Sequence, residues 1–92
     1  MAGLLSSLLK WQRQPGLRCQ SRSVIIALQR SSIGRELRTA PSLQRLLAEQ
    51  DWLELAWCDA LIQVIGETGM CDIPSDPIWT ITEILDPAFL PD

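Results

Sequence analysis

Ninety-two residues are enough for one domain with a modest core and too few for two. An apolar fraction of 47% with four tryptophans belongs to a chain that folds, while the lack of any histidine excludes Ser-His-Asp and Cys-His catalysis and removes the commonest transition-metal ligand. The net charge of −3 is unevenly divided: all eight basic residues lie in the first 45 positions with only Glu36 against them, and the last 47 hold ten acids and no base.

The chain opens with M-A-G-L-L-S-S-L-L-K-W-Q-R-Q. Leu4, Leu5, Leu8, Leu9 and Trp11 make a helical stripe, and Lys10 and Arg13 sit near its C-terminal end, where cations suit the helix dipole. A helix is expected over about 3–14, stopped by Pro15-Gly16. The first 40 residues, rich in arginine and serine and poor in acids, also imitate an organelle transit peptide. Removing them would leave some 50 residues, little from which to build a core.

Val24 to Leu28 is the longest aliphatic run, and its five residues are far too few to span a bilayer. Alone it reads as a buried strand. Ile26, Ile33, Leu37 and Ala40 keep a helical phase, however, and the chain offers no second strand to pair with it. One helix is expected over 20–38, with a bend near Ser32 to Gly34 because glycine costs a helix interior about 1 kcal/mol against alanine. The following Thr39-Ala-Pro-Ser42 suggests a helix-turn-helix for DNA. That geometry is poor, because the turn lacks its usual glycine and the second helix runs on and becomes acidic after Arg45.

The main apolar periodicity lies over 42–66. Leu43, Leu46, Leu47, Leu53, Trp57, Ala60, Leu61 and Val64 recur at three- and four-residue steps, and Trp52, Leu55 and Ala56 widen that face toward a second neighbour. Thr39 or Ser42 can cap it and Gly66 or Gly69 end it. One continuous helix is expected, although Asp51-Trp-Leu-Glu54 also reads as a capping box that would break it near Gln50. Beyond Gly69, prolines 74, 77, 87 and 91 punctuate the chain. Asp76 as cap and Pro77 in the first turn predict a short helix over 77–85, and residues 86–92 an extended tail anchored by Phe89 and Leu90. The fold class is therefore all-α, a three-helix up-down bundle with a Pro-rich tail carrying one short helix.

Several stretches carry a family likeness. Leu8-Leu9-Lys10-Trp11-Gln12 with Pro15, Ser21-Arg22-Ser23, Pro41-Ser42-Leu43, Glu67-Thr68-Gly69, Trp79-Thr80, and Ile84-Leu85-Asp86-Pro87 with Phe89-Leu90-Pro91 run in order from end to end. Together they resemble the domain of unknown function family twenty-nine, abundant in cyanobacteria, with its L-L-K-W-Q-x-Q-P, E-T-G and closing L-D-P-D-F-L-P. The resemblance implies an all-helical bacterial cytoplasmic protein, sets the transit-peptide reading aside, and supplies no catalytic residue. Val24 stands where the family usually has tryptophan, Ile78 where it has proline and Ala88 where it has aspartate. Family members begin with a further helix and a longer second one, so the chain is expected to be an N-terminally shortened form.

Two consequences are expected. If helices 20–38 and 42–66 pack antiparallel, Arg35 meets Glu49, Arg30 meets Asp51 or Glu54, and Arg22 meets Asp59. Loss of a flanking helix would also expose apolar surface, so Leu4, Leu5, Leu8, Trp11, Trp52 and Leu55 are the candidate interface for a protein partner or a homo-oligomer. The alternative surface is a basic face for nucleic acid formed by Arg13, Arg18, Arg22, Arg30, Arg35 and Arg38. No enzymatic role is expected. Glu49, Asp51, Glu54 and Asp59 read as a solvated acidic face, there is no Gly-rich phosphate loop, and Cys19, Cys58 and Cys71 are too scattered for a zinc knuckle, so no cofactor or metal is expected.

Overall fold

The computed structural model describes residues 1–47, 49–70 and 72–91. Within them the chain is all-α, with helices α1 (Ala2–Arg13), α2 (Gln20–Thr39), α3 (Ser42–Leu47), α4 (Gln50–Thr68) and α5 (Ile81–Leu85), and a single 3-10 turn, Pro15–Leu17, after α1. No helix among the described residues is long and apolar enough to cross a membrane.

The first helix is the centre of the molecule. Leu4 and Leu8 on one flank and Leu5 and Leu9 on the next are all buried, and α1 packs against both α2 and α4. The small residues of α1 allow close approach. Ser6 is buried, and a Cβ on Gly3 would come within 3.2 Å of the Gln29 side chain on α2. Opposite α1, the core is completed by Ile26 from α2, by Leu53, Ala56, Trp57, Ala60 and Val64 from α4, and by Trp79 and Ile84 from the C-terminal segment. Met1 shares a groove with Trp52 at the start of α4 and with Leu37 near the end of α2. At the other end Lys10 pairs with Glu67 at 2.6 Å, the one ion pair found among the described residues. The first helix thus runs parallel to α4 and antiparallel to α2.

The helix expected over 42–66 is in fact two. Glu49 is extended (φ −88°, ψ 123°) between α3 and α4, and no side-chain cap bond forms at the start of α4, so the capping box read at Asp51 is not what makes the break. The reason lies in length. The N-terminus of α1 lies beside Trp52, and further straight turns of α4 would overshoot the helix it packs on. The break instead lets Leu43 turn to the same groove as Met1, Ile33 and Leu37. The Thr39 hydroxyl donates back to the Arg35 carbonyl and so serves the end of α2 rather than the start of α3.

Gly69 ends α4 in the left-handed region (φ 75°, ψ 3°) with its N–H donating to the Ile65 carbonyl at 2.8 Å. The short helix expected over 77–85 is confined to Ile81–Leu85. Thr80 and Glu83 form a reciprocal capping box: the Glu83 N–H donates to the Thr80 hydroxyl and the Thr80 N–H to the Glu83 carboxylate, both at 3.1 Å. That cap outcompetes the one expected from Asp76-Pro77 and leaves 77–79 outside the helix, where Trp79 enters the core edge-on to Trp57 (centroids 5.4 Å apart) and to Phe89 (6.0 Å). The Trp57 indole donates to the Pro74 carbonyl at 2.9 Å, tying the loop after α4 to the core.

Replacing the fully buried Trp57 by alanine removes a large core side chain and the Pro74 donor together. Urea denaturation of Trp57→Ala is expected to show a loss of about 3–5 kcal/mol. Thr80→Ala, which removes only the cap, should cost about 1 kcal/mol.

Candidate interaction surfaces

The two surfaces expected from the sequence are both rearranged by the position of α1. Of the expected interface, Leu4, Leu5 and Leu8 are buried inside the chain and cannot meet a partner in this fold. Their four-residue and one-residue spacings serve α2 and α4 at once, the two-sided burial of a central helix. Trp11 and Trp52 are half-buried, and Trp11 packs on the core cluster. Leu55 alone of the six is strongly exposed, at 69%.

The expected basic face is dispersed in the same way. Arg30 is buried on the α2 side of the core. Its Nε donates to the Ile84 carbonyl at 2.9 Å and its Nη2 to the Phe89 carbonyl at 2.6 Å, so one guanidinium clamps both α5 and the tail to α2. Burial lowers the pKa of this group, and the Asp86 carboxylate partly offsets that shift. Two carbonyl acceptors and a nearby carboxylate are what a desolvated cation requires. Arg18 lies over the Trp11 ring (5.6 Å to the centroid), donates to the Trp11 carbonyl at 2.8 Å and reaches the Pro91 carbonyl at 3.4 Å. Arg22 donates to Gln14 at 3.2 Å. Arg13 is half-buried, and only Arg35 and Arg38 of the six are exposed.

None of the expected α2–α4 ion pairs forms. Arg30 is turned to the tail and Arg22 to Gln14, because α1 lies between the basic and the acidic helix and holds them apart. The exposed basic residues of α2 and the exposed acids Glu49, Asp51, Glu54 and Asp59 therefore face solvent separately.

Two exposed apolar stripes were not read as surfaces from the sequence, Leu55 alone among their residues having been expected there. On α4, behind the core face, Ile62 (66% exposed) and Ile65 lie on the same side as Leu55. On α2, Val24 and Leu28 (63% exposed) point away from α1, whereas Ile26 in the same run is buried and the exposed Ile25 borders a cleft shared with Ser7 and Lys10 of α1. The sequence did carry a signal: α4 is apolar on both sides, a pattern that fits a helix covered on both sides. A groove lined by Arg30, Ser31, Arg35, Arg38, Leu85 and Pro87 runs along α2 beside the tail.

Exchange of Arg30 for alanine leaves the Ile84 and Phe89 carbonyls without their donor. A loss of about 2–3 kcal/mol is expected for Arg30→Ala. Hydrogen exchange should show faster opening confined first to residues 81–91, while Arg35→Ala leaves both measurements unchanged.

The family described as a domain of unknown function, DUF29, matches residues 1–90. No curated protein matches the chain, and neither does any solved structure.

Proposed function

The chain belongs to the DUF29 family, and from that premise we propose that it is a non-enzymatic protein–protein interaction or regulatory module acting in the cytoplasm. The observation that carries this reading is the pair of apolar stripes on α2 and α4. Leu28, Leu55 and Ile62 are each more than 60% exposed on helices whose opposite faces already supply the core. Exposed apolar side chains scattered singly need no explanation, but stripes aligned along helices are the usual mark of a surface that another polypeptide covers.

Nucleic acid is the weaker reading. Four of the six arginines expected to meet it are at least half-buried, three of them in bonds within the chain, which leaves Arg35 and Arg38. Affinity for a polyanion grows with the number of phosphates neutralised, so two cations on a chain of net charge −3 make a poor site.

Quantitative recovery of partners from native cells on the tagged full chain tests the proposal. The expectation is a specific co-purifying polypeptide whose yield falls about tenfold or more in Ile62→Asp, a cost of about 1.4 kcal/mol or more in binding. Identical recovery with wild type and Ile62→Asp would remove the reading. A gel shift separates the alternative: no retarded nucleic acid is expected at low salt. A complex that dissolves as salt rises and weakens in Arg35→Ala would put nucleic acid first.

A further inference from the structure

The complementarity between the basic and acidic helices is left unused within one chain. On the solvent side of α2, Val24, Leu28, Ser31, Arg35 and Arg38 follow one another at steps of four, three, four and three residues. On the solvent side of α4, Asp51, Leu55, Cys58, Ile62 and Ile65 follow at the same steps. That alternation is the seam spacing of helices that wrap around each other. All ten side chains are exposed. Each seam covers fifteen residues from first to last, about 21 Å of helix.

We propose that α2 of one copy of this chain packs antiparallel on α4 of a second copy through these two seams. In that register Val24 lies level with Ile65, Leu28 with Ile62, Ser31 with Cys58, Arg35 with Leu55 and Arg38 with Asp51, each to within about one residue, or 1.5 Å. Apolar side chains meet at one end. Two small residues meet in the middle. At the other end the Arg35 stem covers Leu55 with Glu54 beside it for the charged head, and Arg38 meets Asp51. The parallel orientation fails on both counts, because it sets Val24 against Asp51 and Arg38 against Ile65.

The occupant is argued from this match. Length, apolar positions and charge sign all agree between two stripes of one chain that α1 keeps from meeting each other. The inference rests on the interaction-module reading and names the partner as the chain itself. Because the contact joins two unlike surfaces, each copy added leaves one stripe of each kind free. The assembly therefore grows with concentration and closes only if the rotation between copies allows a ring.

Sedimentation of the full chain over a concentration series is the first test. The weight-average mass is expected to climb above the 10.3 kDa of one chain and to fall back as salt rises. Arg38→Glu and Asp51→Arg should each weaken association by about tenfold, and the two together in one chain should restore it. Both positions are exposed, so helicity by circular dichroism should be unchanged. A second test is covalent. In Ser31→Cys, oxidation with diamide should join residue 31 of one copy to Cys58 of the next, identified by peptide mapping, with diamide taking up the two electrons and two protons lost by the thiols. A mass of one chain at high micromolar concentration and low salt overturns the proposal, and so do Cys58–Cys58 links in place of 31–58 links. If the chain stays monomeric while Ile62→Asp still loses a cellular partner, self-pairing falls and the broader interaction reading stands.

Discussion

The structure depends on a short leucine helix lodged between two longer ones. Four leucines within six residues of α1 are buried to 1% exposure or less, so this helix has no outer face left over its apolar half. Burial of one such side chain contributes about 1.5–3 kcal/mol, and four of them in one helix make α1 the axis on which the other elements are hung. The position of α1 then decides the remainder. It sets the parallel course of α4, the antiparallel course of α2, the point where α3 must break from α4, and the separation of positive from negative surface.

The second constraint is the C-terminal segment, which has little regular structure of its own. Five residues of α5 make no independent helix, and their stability is borrowed from tertiary contacts. Three devices hold the segment. The Thr80–Glu83 box fixes its start, Trp79 and Ile84 enter the core, and Arg30 takes the carbonyls of Ile84 and Phe89. Arginine suits this last task because its planar fork presents two donors to two acceptors at once. A residue that reads as part of a basic surface is, in the fold, a structural bolt.

Much of this was legible. The all-α class and the three long helices followed from apolar spacing and from Pro15, Gly16 and Gly69 as punctuation, but the third helix begins at Gln50 and not at Ser42. Trp57, Ala60 and Val64 are core residues, as their spacing implied. Partnership was harder to read than periodicity. Leu4, Leu5, Leu8 and Leu9 fit an outer helix missing a neighbour as well as they fit a central one, because a helical pattern records which residues are apolar and not how many helices touch them. The charge division invited direct pairing of α2 with α4, and exposed ion pairs of about 0–1 kcal/mol each cannot compete with the burial of four leucines between them. Arg30 was illegible for another reason. Its partners are backbone carbonyls, which every residue carries, so no side chain in the sequence marks the bond.

The aromatic row has an optical consequence. Trp57 and Trp79 lie edge to face, both almost wholly shielded from water, with Phe89 against the second, while Trp11 and Trp52 are partly solvated. Emission from the shielded pair therefore reports whether residues 79–91 are seated. A shift of that emission to longer wavelength would register their release while the helical signal stayed intact, so the chain carries its own fluorophore for the docking of its end.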